Sequence, residues 1–196
     1  MRLKIVQAGE EVLRRQAGAL SRDEILAEET QRLIEYMTDT MRDAPGVGLA
    51  APQVGIPLRL AVIEDRPEYH SKLSQEQLTE RQRRPVPFHV IINPTIVSAK
   101  GASIEFFEAC LSISGYSAIV PRSRTVTVEF LNERAELVRV EASGWYARIL
   151  QHEIDHLSGI LYTDRMYART FSTLENLDRL WKDLPVSAVK EKLNTP

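Results

Sequence analysis

Two histidines four residues apart, set in an apolar helical stripe, constrain this chain more than any other feature. The segment reads His152-Glu153-Ile154-Asp155-His156. Side chains at i and i+4 share one face of a helix, so both imidazoles are placed to grip one metal ion. Trp145, Ile149, His152 and His156 succeed one another in steps of 4, 3 and 4, which turns the imidazoles inward. Burying two imidazoles and a carboxylate is costly without a partner such as a metal. Glu153, next along, is positioned to act as general base on a metal-bound water.

A catalytic site of this kind needs a third protein ligand and one open position. The metzincin continuation H-x-x-G-x-x-H fails here, because Tyr162 stands where its last histidine belongs. Glu175 is a possible downstream carboxylate, although Ser172 and Glu175 also fit a helix capping box. Upstream lies Cys110, whose thiolate suits a borderline divalent ion. A single cysteine is also often a small buried hydrophobe.

The 196 residues fit one domain, 1–196, with 167–196 as a tail carrying a short helix. A hydrophobic content of 43% with 27% charged residues is ordinary for a globular chain. The net charge of -2 leaves no basic face, which argues against nucleic acid as main partner. The opening residues lack a secretion-signal pattern, and no apolar run approaches a membrane span. One cysteine excludes an internal disulfide, so a reducing compartment, the cytosol by default, is expected.

Apolar spacing predicts a helix over 23–42, with Leu26, Leu33, Ile34, Met37 and Met41 inward and Pro45-Gly46 as the stop. Strands are predicted at 58–64, 88–94 and 102–108, and a hairpin at 125–131 and 136–142. The charged stretch 65–87 reads as an exposed loop with one short helix. A helix from 143 or 144 to 157 carries the histidine pair, and the last short helix is ended by Pro185. The class is α+β: mixed or antiparallel sheets around a central metal-binding helix, plus an N-terminal helix.

Gly46-Val47-Gly48-Leu49-Ala50-Ala51 matches the dinucleotide pattern G-x-G-x-x-G/A. That fingerprint needs a strand before it and a helix starting within it. Here a long helix precedes it, and Pro52 falls where the next helix should be running, so a nucleotide site is rejected. Glycines also admit close approach to a ligand, and Gln53 carries an amide able to stabilise an oxyanion.

Three motifs in order resemble those of the peptide deformylases: Gly46-Val47-Gly48-Leu49-Ala50-Ala51-Pro52-Gln53, then Glu108-Ala109-Cys110-Leu111-Ser112, then His152 to His156. The resemblance runs to about Met166 and is nearest the branch with organellar and some bacterial members. It implies removal of formate from N-formylmethionine on nascent polypeptides, with transient ribosome association and a monomer or homodimer. It implies Cys110, His152 and His156 as ligands of one divalent metal ion, usually Fe²⁺, with Zn²⁺, Ni²⁺ or Co²⁺ as substitutes. Glu153 is then general base and acid, while Gln53 and the Leu111 N–H stabilise the oxyanion. Val47 and Gly48 pair with extended substrate, and Trp145, Arg148 and Ile149 line the methionine pocket. Glu108 and Arg122 match a structural ion pair.

Ala109, Ser114 and Ser117 depart from the family pattern, which has glycine, proline and often a substrate-touching arginine there. Two other readings fit the same motifs: a zincin-type metalloprotease using Glu175, and a catalytically poor protein that binds formylated or ribosome-borne N-termini. Localisation by resemblance is cytoplasmic or, for a mature organellar form, within an organelle.

Overall fold

The computed structural model describes residues 1–71 and 73–195. Five strands lie side by side in chain order: β1 (Gly48–Ala50), β2 (Leu60–Asp65), β3 (Val86–Cys110), β4 (Ile113–Leu131) and β5 (Leu137–Ser143). A sixth, β6 (Ser172–Thr173), pairs with β4. Every ladder is antiparallel, so the predicted mixed or antiparallel sheets resolve into one antiparallel sheet. Parallel pairing among the described residues is limited to the isolated bridge Gly18–Leu58.

The predicted strands at 88–94 and 102–108 are two ends of one strand, β3. Its first part pairs with β2 and the rest with β4, and the register shifts between Ile92 and Thr95. Asn93 makes that change of partner: it holds φ at 51°, and its side chain bonds both Leu20 N and Leu20 O. A bulge of this kind bends a strand so that it serves two neighbours. The β3–β4 hairpin continues to a tight turn at Leu111-Ser112, with Cys110 opposite Ile113. The sequence pattern gives no strand over 113–124, where Gly115 and Pro121 interrupt the alternation; β4 runs through both, with Pro121 paired to Glu105 and Gly115 in an irregularity where the register passes from Ile113 to Ser117.

The single helix predicted over 23–42 is two: α1 (Arg22–Leu26) and α2 (Glu28–Asp43). Ala27, with ψ at 141°, breaks them, after Ser21 and Glu24 have closed a capping box on α1. The break turns Leu26 outward to 48% exposure and buries Ile25 instead. Between β2 and β3 the charged stretch holds a 3-10 turn, Pro67–His70, and the short α3 (Gln75–Glu80).

β2 is covered on both faces, and its alternation sorts the core. Ala61 and Ile63 pack with Ala147, Leu150 and Ile154 of α4 (Gly144–Leu157). Leu60 and Val62 pack with Ile34, Met37 and Met41 of α2. A third cluster, with Leu13, Ala118, Leu161 and Tyr162, surrounds Cys110. α4 begins where Gly144 takes φ +60 against the charged stretch. A Cβ there would lie 2.5 Å from the Gln82 Cβ and 2.8 Å from the Arg81 carbonyl, so only glycine fits.

The C-terminal cap differs from the predicted Ser172–Glu175 box. Thr173 caps the turn, accepting from Asn176 N at 3.1 Å, while Ser172 belongs to β6. The turn α5 (Leu174–Asn176) continues as a π-helical turn, Leu177–Trp181. Pro185 starts a helix instead of only ending one: α6 (Val186–Lys192) comes directly after it. Val189 is fully buried and Lys190 bonds Glu105, which docks α6 on β3. Among the described residues no helix is long and apolar enough to cross a membrane.

Candidate metal centre and cleft

Two elements distant in sequence bring Cys110, His152 and His156 together. Cys110 ends β3 at the hairpin turn, and both histidines project from α4. Their ligand atoms all lie within 4.8 Å of one another. The Cys110 Sγ is 3.3 Å from His156 Nε2, which is itself 3.3 Å from His152 Nε2. Donors around one tetrahedral ion stand about 3.4 Å apart for two nitrogens and about 3.6 Å for sulfur and nitrogen. The three atoms therefore fit a single first-row divalent ion with one position left open.

Electrostatics agree with a cation at this spot. Burial alone would depress His152, yet hydrogen bonds to Cys110 and Glu108, with the charges of both, hold it well above the ordinary imidazole range. Burial drives its neighbour His156 well below that range. The His152 Nδ1 lies 3.0 Å from Glu108 Oε2. A carboxylate there accepts a hydrogen bond from Nδ1–H, which keeps the proton on Nδ1 and leaves the Nε2 lone pair free for a metal.

Glu108 is the hub of a buried network. The Arg122 guanidinium grips it through Nε and Nη2, both at 2.9 Å, and reaches Asp155 with Nη1. Arg165 closes the far side on Asp155 with bonds of 2.6 and 2.7 Å. Burial would raise the Glu108 carboxyl, but Arg122 and His152 overcome it and hold Glu108 well below the usual range. The ion pair expected between Glu108 and Arg122 is present. Sequence reasoning missed that the same carboxylate orients His152, and it missed Asp155 and Arg165 altogether. The paired charges inside the His152–His156 segment and just beyond it were the available signal.

Glu153 has no such partners. It is 3% exposed, its Oε2 bonds nothing, and burial pushes its carboxyl up to about 7. Its other oxygen lies against β1: a Cβ on Gly48 would sit 2.2 Å from Oε1. Gly48 is thus glycine because the carboxylate occupies the side-chain space, not because its backbone is left-handed. Gln53, 1% exposed, is fixed by Ala50 N, which donates to its Oε1 at 2.9 Å. That leaves Nε2 facing the Cys110 Sγ at 3.4 Å and the Ser112 Oγ at 3.3 Å. Ser112, fully buried, is a further site residue, and its signal was its place at the end of the second motif.

A cavity of about 370 Å³ opens on these groups. Val47, Gly48, Gln53, Cys110, Leu111, Trp145, Ile149, His152 and Glu153 all line it. Arg148 lines it as well, but its guanidinium bonds Glu108, Val120 O and Ile104 O. Glu175 is exposed on α5 and stands outside the ligand cluster. Ala109 adopts no left-handed φ, so the alanine is accommodated without strain. Ser117 is buried opposite Ser172 of β6, and Ser114 N donates to Gln7 Oε1 at 3.2 Å.

A family model described as polypeptide deformylase matches residues 2–171. The chain is 47% identical over 189 residues to the chloroplastic peptide deformylase 1A of Solanum lycopersicum, covering 96% of this chain and 66% of that one. It is 42% identical over 184 residues to peptide deformylase 1 of Bifidobacterium longum, covering 94% and 82%. The chain spans about two-thirds of the plant relatives' length, 66% and 65% for the tomato and Arabidopsis thaliana proteins. A Met-Ala-Ser-bound class I type b peptide deformylase from Acinetobacter baumannii superposes with a TM-score of 0.76 at 31% identity, over 85% of this chain and 99% of that one. The Thermotoga maritima peptide deformylase gives 0.70 at 34% identity, over 85% and 98%.

Proposed function

The chain belongs to the polypeptide deformylase family, and on that premise we propose that it hydrolyses the formyl group from N-formylmethionine on nascent peptides, releasing formate. One observation carries the reading: Cys110, His152 and His156 converge on one point, beside an unbonded buried carboxylate, Glu153.

Cys110, His152 and His156 would hold one divalent ion, Fe²⁺ by family resemblance, with Zn²⁺, Ni²⁺ or Co²⁺ able to replace it. When bound, such an ion supplies Lewis acidity to a carbonyl and acidity to a water. Glu153 takes the proton of the attacking water and returns it to the leaving amine. A carboxyl pushed up to about 7 suits both transfers near neutral pH. Gln53 turns one of its two N–H bonds from Ser112 to the developing oxyanion, and the Leu111 N–H donates beside it. β1 pairs with β2 on one side only. Its other edge, at Gly48, can add an extended substrate as a further strand, with Val47 lining the same cavity while its carbonyl accepts from Glu64 N. Trp145 and Ile149 wall the methionine side chain, and Arg148 acts by holding Glu108.

The Acinetobacter protein binds Met-Ala-Ser, which has the form of a deformylated product; the same chemistry is assigned to this chain. We read 1–196 as one catalytic domain, monomeric or homodimeric, meeting substrate at the ribosome in a bacterial cytoplasm or an organelle. The metalloprotease reading loses its ligand, since Glu175 stands outside the cluster.

The test is anaerobic loading with Fe²⁺, then formate release from a formyl-Met peptide alongside cleavage of an unformylated one. Formate release alone supports the assignment. Peptide-bond cleavage without formate overturns it.

A further inference from the structure

Beyond the reacting groups, the cavity wall continues into an apolar surface that the chemistry leaves unused. Tyr116 and Leu174 line the same cavity as Cys110 and Glu153. The Tyr116 ring stacks on Phe171 with centroids 4.9 Å apart and planes 6° apart. Tyr116, Phe171 and Leu174 are 41%, 39% and 43% exposed. Large apolar side chains gathered open to solvent at the mouth of a cleft mark a binding surface.

The chain holds this surface in place. Tyr116 and Ser117 pair with Thr173 and Ser172. Thr170 Oγ1 accepts from Ile119 N at 2.9 Å, and Tyr167 N donates to Ile119 O at 3.0 Å. The Thr173 cap then fixes Leu174 as the first residue of a turn. Leu174 also lies past residue 171, where the family match ends, so this part of the wall is supplied outside the common core.

We propose that Tyr116, Phe171 and Leu174 form an apolar subsite for the side chain of one of the two residues after methionine in the substrate. The inference rests on the deformylase reading, which puts the peptide's first residue at Cys110 and Glu153. An extended chain advances roughly 3.3 Å per residue, so the next residues leave along the same wall. The wall there is made by Ser114, Gly115, Tyr116 and Leu174, four residues that carry no charge. An aromatic or aliphatic side chain gains burial there and excludes water from two rings.

A panel of formyl-Met tripeptides carrying Phe, Leu, Ser or Asp at the second and third positions tests this. Phe or Leu at one position should raise kcat/KM over Ser or Asp by roughly five- to tenfold, mostly through KM. Leu174→Ser and Tyr116→Ser should bring that ratio towards one, and Leu174→Met should restore it. Calorimetric affinities for Met-Phe-Ser, Met-Ala-Phe and Met-Ala-Ser supply a readout independent of turnover. Equal affinities, or a preference that survives in the double variant, would overturn the subsite. A lasting affinity difference without formate release from any peptide would instead overturn the deformylase reading.

Discussion

The two sides of α4 follow opposite rules. Behind the histidines, Glu108, Arg122, Asp155 and Arg165 form a chain of paired charges, with Glu108 bonded by Arg122, Arg148 and His152. In front, the Glu153 Oε2 is buried without a hydrogen-bond partner among the described residues. Saturated groups hold still, whereas unsaturated ones retain capacity for a ligand. The difference separates what positions this site from what acts in it.

Cys110→Ala removes a ligand on the acting side and should have the largest effect. Bound metal measured by elemental analysis should fall to background, and formate release with it. Glu153→Ala should keep the metal while turnover falls by about 10²–10⁴. Retained turnover would take Glu153 out of its assigned role.

Glu108→Gln attacks the positioning side, where the readout is stability. Breaking a buried pair of this kind costs about 3 kcal/mol, measurable by urea unfolding at neutral pH. The Glu108 carboxyl is depressed in the fold. Its stabilisation is therefore present above the unfolded value of 4.5 and lost as pH falls through the folded value. The gap between parent and variant should accordingly narrow as pH falls below 4.5; a pH-independent gap would show that the charge of Glu108 is not what stabilises. Gly48→Ala is the smallest change and sits where the two sides meet. Its methyl displaces the Glu153 carboxylate, and a shift near 1 Å should cost about 10² in kcat with metal content unchanged.

Much of this was legible from local pattern. Residues 144–157 form the predicted helix because an apolar period of 3.6 and a glycine start coincide. The hairpin at 125–142 arises from period-2 alternation around a polar turn. Cys110 was a different matter. It lies 46 residues from His156; thiolate chemistry made it a candidate ligand, and the family motif chose it over Glu175, since no local rule links a strand end to a helix face. Long-range contacts account for the rest. Asn93 changes β3 from one neighbour to another through its bonds to Leu20. The carboxylate that makes Gly48 a glycine comes from α4. Ala27 breaks a helix whose apolar period continues straight through it.

The β3–β4 ladder runs from Cys110 opposite Ile113 outward to Ile92 opposite Leu131. Each pair further from the turn closes a longer stretch of chain, so the entropic cost of closure is least where the cysteine sits. The thiol thus sits at the most local closure of this ladder, whereas its contact with His156 spans 46 residues. A site loaded through all three ligands therefore certifies that the hairpin and the helix have met.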